Sequence, residues 1–353
     1  MPRPLSRDLD DYVVDWQRVP WPVPWERVFG RTGPLALEIG FGNGAFLAEQ
    51  SLLHPGRDHV GIELSWTAAT YLFRRLRRSA ARNVRVVLGD AEFLVVNGFG
   101  PHSLAEVFVN HPCPWPKARH HARRLLGRAF LRVLAERMQT DARLTVVTDH
   151  AEYAEWLGGE LESQELLVSC HPTVEAPPIA GRAPTKYQLR AMAQGIPIHY
   201  FEWRKVASPA VHTAQATGDP DAHMSTVTLS GSAPAAGLFD GFRPQLYREQ
   251  RDGVEIVVRL DSVYRRPGAD IWLVETLVLE DRLKQCFGID VIGRENGWLV
   301  KPSDMGLPYP THGVKRAVWC VVRWLQSRHP GLDVRNESLG PAMRETGEPW
   351  VPE

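Results

Sequence analysis

Only four cysteines occur in 353 residues, Cys113, Cys170, Cys286 and Cys320, and none forms a CxxC pair, so neither a zinc ribbon nor a disulfide framework is supported. No apolar run approaches a membrane span and the start lacks a signal-peptide pattern, so a cytoplasmic protein with no membrane attachment and no obligate protein partner is expected. Net charge is missing too. The 41 basic and 41 acidic residues cancel, which argues against a uniformly basic nucleic-acid binder and leaves any such contact to local patches. Lysine is scarce, 6 against 35 arginines, which reads as coding bias. The thirteen histidines show no paired ligand spacing, and adjacent His120 and His121 would point about 100° apart on a helix, so no metal site is expected. There is no internal repeat.

What is present begins at Glu38-Ile39-Gly40-Phe41-Gly42-Asn43-Gly44, between an apolar strand (Pro34 to Ile39) and a helix (Ala45 to Leu53). A carboxylate followed by alternating glycines resembles the turn with which class I methyltransferases hold S-adenosylmethionine. Missing Cβ atoms let backbone approach a ligand, and the carboxylate can take charge-assisted hydrogen bonds. Gly40, Gly42 and Ala45 also satisfy the looser dinucleotide pattern. The next strand ends decide between the two. His59 to Glu63 ends in an acid 23 positions after Gly40, suited to ribose hydroxyls, and Val84 to Leu88 runs into Gly89-Asp90-Ala91, a position that the resemblance to class I methyltransferases implies faces adenine. Helix N-capping is the plainer use for Glu63 and Asp90, but acids at successive strand ends favour a nucleoside pocket.

Alternating strands and helices over 34–206 predict an α/β, Rossmann-like, doubly wound methyltransferase domain. Residues 1–33, with Trp16, Trp21 and Trp25 among prolines, read as an extended segment packed on that core. Small residues, Pro and Gly mark 207–222 as a linker. Over 223–332 a smaller α+β domain with an antiparallel sheet is expected, with strands at His223 to Ser230, Phe242 to Glu249, Val254 to Tyr264 and Ile271 to Leu279, and a helix at His312 to Gln326. Residues 333–353 read as a polar tail.

The fourth strand of the first domain, Leu104 to Val109, leads into Asn110-His111-Pro112-Cys113-Pro114-Trp115-Pro116-Lys117-Ala118-Arg119-His120-His121-Ala122-Arg123-Arg124. Here the chain resembles the tRNA (guanine-N7)-methyltransferase family, whose motif is NFPDPWxKxRHxxRR. Two further segments agree in order. Thr148 to Tyr153 resembles TDWxxYA, and Arg182 to Arg190 resembles RPxTKFExR.

The resemblance implies methyl transfer from S-adenosylmethionine to N7 of a guanosine in tRNA, at position 46 of the variable loop. It assigns Glu38, Gly40, Gly42, Gly44, Glu63, Asp90 and Ala91 to the cofactor, with Asn110 and Cys113 at the strand end beside it. Lys117, Asp149, Thr185, Lys186 and Gln188 match substrate positions, and Cys113 and Asp149 the catalytic ones. In two places the chain departs from the family: Cys113 replaces the acid between the prolines, and Gln188 the glutamate of TKFE. Guanine N7 has a free lone pair and no proton, so its methylation needs alignment and negative potential and no general base. Cys113 as a buried filler at the strand end is preferred to covalent catalysis.

For RNA, Arg74, Arg75, Arg77 and Arg78 are expected on one helix, and Lys117, Arg119, Arg123, Arg124, Arg128 and Arg132 on another, with Arg124, Arg128 and Arg132 along one face. Two alternatives stay open. Asn110-His111-Pro112 faintly resembles the (N/D)PP(Y/F/W) motif of exocyclic-amine methyltransferases, although the second proline and the aromatic are out of register. The replacements at Cys113 and Gln188 would also suit a tRNA-binding protein of this fold with impaired catalysis. Residues 223–353 resemble the extensions of thermophilic family members and contain no motif that speaks for RNA.

Overall fold

The computed structural model describes residues 12–16, 19–179, 182, 184–206, 225–251, 253–280, 283–303, 305–306, 308–339 and 343. The chain divides into two units, Met1–Ala216 and Thr217–Glu353, each with its own hydrophobic core. The expected linker, 207–222, lies outside the described residues. Among the described residues no helix is long and apolar enough to cross a membrane.

In the first unit the elements run α1 (Trp25–Phe29), β1 (Leu35–Ile39), α2 (Ala45–Leu53), β2 (Asp58–Glu63), α3 (Trp66–Ser79), β3 (Val84–Leu88), α4 (Ala91–Gly98) and β4 (Leu104–Asn110). A 3-10 turn (Ala118–Arg123) precedes α5 (Arg128–Arg137), β5 (Met138–Thr148), α6 (Ala151–Glu162), β6 (Leu167–Ser169), α7 (Lys186–Ala193) and β7 (His199–Lys205). The strand order is β3-β2-β1-β4-β5-β7-β6. Neighbours from β3 through β5 pair in parallel, while β7 runs antiparallel to β5 and β6. The doubly wound expectation therefore holds up to β5, and β7 returns the chain in the opposite sense.

Every residue of β1 is buried, as a strand covered on both faces requires. One core joins Leu37, Ile39, Val60, Ile62, Val107 and Val109 to Leu94 of α4, Leu131 and Leu134 of α5 and Leu157 of α6. The other joins Phe41 and Val86 to Leu47 of α2 and Leu72 and Leu76 of α3. Along α3 Ala69, Leu72, Phe73 and Leu76 are buried at helical spacing and Arg74, Arg75, Arg77 and Arg78 are exposed, which makes it amphipathic. Order reverses between β1 and β4, which pair directly, and open α/β sheets bind ligands beyond the strand ends at such a switch point.

The described part of residues 1–33 lies on this core. Trp16 Nε1 donates to Leu88 O at 2.8 Å and Trp25 Nε1 to Gly98 O at 3.0 Å, bracketing α4. Val13 bridges in parallel to Val86 of β3. The segment is not wholly extended, because Trp25–Phe29 forms α1, closed by Gly30 at φ 69°.

The second unit contains β8 (Val227–Ser230), β9 (Gln245–Arg251), β10 (Val254–Arg265), β11 (Ile271–Glu280), β12 (Leu283–Arg294), β13 (Gly297–Pro302), α8 (His312–Arg328) and β14 (Asp333–Glu337). They form an antiparallel sheet of order β14-β8-β13-β12-β11-β10-β9, and its core is completed by Val314, Val318, Val321 and Leu325 of α8. Three strands here were not expected: β12, β13 and β14. The polar-tail expectation for residues 333–353 fails at its start. Asp333–Glu337 pairs with β8, and Leu339 and Met343 are buried in the same core. The expected strand at His223 to Ser230 begins at Val227, and His223 and Met224 lie outside the described residues.

Candidate active site

The turn after β1 shows why each glycine is there. Gly40 and Gly42 have φ of 71° and 52°, and a Cβ at either would meet no atom within 4 Å. Their bare backbone therefore faces open space of the kind a ligand fills. Gly44 differs, since its Cβ would lie 2.5 Å from Leu72 Cβ. Packing of α2 against α3 demands that glycine.

Glu63, ending β2, accepts from Gly42 N at 2.9 Å through Oε2 and from Leu64 N and Ser65 N at 2.9 and 3.0 Å through Oε1. The acid that should grip ribose also fixes the glycine turn. Asp90 Oδ1 caps α4 through Phe93 N at 2.9 Å, the plainer use weighed for it, and Ala91 opens that helix. Arg75 of α3 reaches the same turn, its Nε donating to Asn43 O at 3.3 Å.

Beneath the turn Glu38 is 2% exposed. Its Oε1 accepts from Asn110 Nδ2 at 2.8 Å, and its Oε2 is buried without a partner. Burial pushes Glu38 up to about 7, against the opposing pull of Asn110 and Arg182. An unpartnered carboxylate oxygen beside an open glycine backbone, with a second carboxylate at the next strand end, fits S-adenosylmethionine, which carries an ammonium group and a ribose diol.

From the other side Asn110 Oδ1 accepts from Arg182 Nη2. Arg182 Nη1 donates to Gln188 Oε1 at 2.9 Å, and its guanidinium lies 4.6 Å from the Phe46 ring centre. A continuous chain, Glu38–Asn110–Arg182–Gln188, thus joins the first motif to the last. Thr185 caps α7 with its Oγ1 on Gln188 N at 3.1 Å, and Gln188 Oε1 answers on Thr185 N at 3.0 Å. Gln188 Nε2 also donates to Tyr200 Oη at 3.1 Å. Thr185 and Gln188 are both buried, so these two expected substrate residues spend their side chains on protein partners, while Lys186 is exposed at the start of α7.

Asp149 follows β5, its side chain 37% exposed, and its Oδ1 lies 3.1 Å from His111 Nδ1. Cys113 is exposed at the surface, not the buried filler expected. Beyond it the Arg123 guanidinium lies 5.1 Å from the Trp115 ring centre and the His120 ring 5.9 Å from it, with Lys117 and Arg119 exposed alongside.

Arg124 does not belong with the RNA-facing residues, and the single basic helix is absent. The 3-10 turn stops at Arg123 and α5 begins only at Arg128, so no common face runs from 124 to 132. The Arg124 side chain is 1% exposed. It donates to Pro114 O at 3.0 Å and Glu152 Oε1 at 2.9 Å and lies over Trp156, so it supports the motif loop from beneath. Arg128 and Arg132 remain exposed. Among the described residues no group of three or more His, Cys, Asp or Glu could hold a metal ion.

Two residues of the site escaped sequence reasoning, His111 and Arg182. The signal for Arg182 was its place at the head of the third motif, and for His111 its place beside Asn110.

A protein-family model described as "Putative methyltransferase" matches residues 32–201. The tRNA (guanine-N(7)-)-methyltransferase of Thermus thermophilus is 32% identical over 314 residues, covering 89% of this chain and 95% of that protein. The protein of that name from Thermotoga maritima is 29% identical over 308 residues, 87% of this chain and 94% of its own length. That of Alkalilimnicola ehrlichii is 36% identical over 189 residues, 53% of this chain and 79% of its own length. Matched along most of its length, the second unit included, to proteins of that name, the chain belongs to the tRNA (guanine-N(7)-)-methyltransferase family.

Proposed function

We propose that this chain methylates N7 of a guanosine in tRNA, position 46 of the variable loop, with Glu38, Glu63, Asp90 and the backbone of Gly40 and Gly42 holding the cofactor. S-adenosylmethionine, when bound, supplies an electrophilic methyl group on a sulfonium sulfur. The observation that carries the proposal is the chain Glu38–Asn110–Arg182–Gln188, which ties the cofactor turn to the substrate motif through side chains. Asp149 supplies negative potential for the purine cation that N7 methylation creates, charge placed in advance where charge develops. Lys117, Arg119, Arg123 and Arg128 are the exposed cations that would take phosphates.

The test is product analysis. The full chain is incubated with a tRNA transcript and S-adenosylmethionine, and the digested nucleosides are examined by mass spectrometry. The expected product is 7-methylguanosine, lost when guanosine 46 is replaced by adenosine. A methylated exocyclic amine, or no methylated nucleoside, overturns the proposal.

A further inference from the structure

Ten buried side-chain polar atoms lack a partner among the described residues, and three of them, Glu38 Oε2, His111 Nε2 and Arg182 Nε, belong to residues gathered around Asn110. Buried polar atoms are rarely left unpaired, so their concentration at one place calls for an explanation, and a bound ligand is one that fits. Glu38 belongs to the cofactor. His111 has no role assigned so far.

His111 sits at φ 50°, a left-handed conformation uncommon for a residue with a side chain, and its N–H donates to Val147 O at 2.7 Å. Its side chain is 5% exposed and its ring centre lies 5.5 Å from that of Tyr187 on α7. The ring is thus bounded by Asp149 of the second motif and Tyr187 of the third. Asp149 offers only acceptor oxygens, so Nδ1 at 3.1 Å must carry the proton, and in the neutral ring Nε2 is then an acceptor. Burial holds the imidazole below its ordinary value, although Asp149 pulls the other way. Burial thus favours the neutral ring.

The geometry points to His111, with its tautomer fixed by Asp149, as the residue that accepts a hydrogen bond from the N1–H and 2-amino edge of the target guanine. The inference rests on the guanosine reading above and names the group that makes the site prefer guanine. Guanine presents donors on that edge. Adenine presents an acceptor at N1, which would face the Nε2 lone pair. Cys113, two residues along the same loop, presents only a thiol. A thiol is a weak acceptor and does not fill that need.

The experiment measures kcat/KM for tRNA at saturating S-adenosylmethionine across pH, for wild type, His111→Phe and His111→Gln. The phenylalanine variant keeps an aromatic ring against Tyr187, and the glutamine variant keeps an acceptor near the Nε2 position. His111→Phe should lose about ten- to a hundredfold in kcat/KM while its KM for S-adenosylmethionine stays within about twofold. His111→Gln should recover most of that loss. In wild type, activity should fall on the acid side as Nε2 gains a proton, and this limb should vanish in His111→Gln. The charged and titratable groups around the ring are Asp149, Arg182 and Tyr187, with Glu38 reached through Asn110, and saturating cofactor keeps Glu38 out of the profile. Wild-type kcat/KM in His111→Phe, or an unchanged acid limb in His111→Gln, overturns the inference while leaving the guanosine reading intact. Absence of 7-methylguanosine from the wild-type digest overturns both.

Discussion

Arg182 and Gln188 meet as guanidinium donor and amide acceptor at 2.9 Å, and the same amide oxygen takes the Thr185 N–H that begins α7. One neutral side chain therefore both caps a helix and aims a cation at Asn110 and Glu38. Gln188→Ala should remove both contacts, lowering stability by about 1–2 kcal/mol and methylation at least tenfold. Gln188→Glu keeps the capping box and should leave stability within about 0.5 kcal/mol. Urea unfolding of the two variants checks this, and equal losses would show that the amide oxygen is not what matters.

Glu38 gives a pH signature. Its folded value of about 7 lies above the ordinary 4.5, so the folded protein keeps a proton that the unfolded chain releases. The stability this lends is fully present below pH 4.5 and is lost as pH rises through 7. Without added cofactor, Glu38→Gln should be more stable than wild type at pH 8 by about 1–3 kcal/mol, with the gap closing at pH 5. Cofactor binding should be lost in the same variant. Thermal unfolding at the two pH values measures the difference, and a gap independent of pH refutes it.

Glu63→Ala should weaken S-adenosylmethionine binding at least tenfold, because it removes the proposed ribose acceptor and frees the Gly42, Leu64 and Ser65 N–H groups that hold the turn. Calorimetry returning the wild-type Kd would sink the assignment.

Cys113 tests whether charge or thiol chemistry governs the loop. Cys113→Ser should retain most activity, and Cys113→Asp should match or exceed wild type. A thousandfold loss in Cys113→Ser would point instead to nucleophilic or redox chemistry.

Residues 223–353 form a separable question. If they help to hold tRNA, deleting them should leave cofactor affinity intact, raise KM for tRNA and flatten its dependence on salt. A truncated protein with the wild-type salt slope and a lower Tm would assign them to bracing alone.

Much of this molecule was legible because periodicity reports burial. The spans Ala45–Leu53 and Val84–Leu88 coincide with their sequence expectation, and the acid Glu63 ends its strand as read. Spacing does not report which way a charge turns, so Arg124 read as a surface residue although aromatic rings and Glu152 draw it inward. The pairing of Asn110 with Arg182 spans 72 residues and leaves no local trace. In the second unit β12 carries Gly288 and Gly293, which break the alternation that would have announced it.

The bridge from Val13 to Val86 has a further consequence. Because β3 ends the strand order, its outer side would offer unpaired backbone to any other chain. The amino-terminal segment occupies that side, with Val14 N on Val86 O at 2.8 Å and Val86 N on Tyr12 O at 2.7 Å. Arg85 is the one charge in a strand that otherwise reads as valine and leucine. Trimmed of residues 12–16, the protein would present the unpaired N–H and C=O of Val86 to its own copies, an edge open to strand pairing.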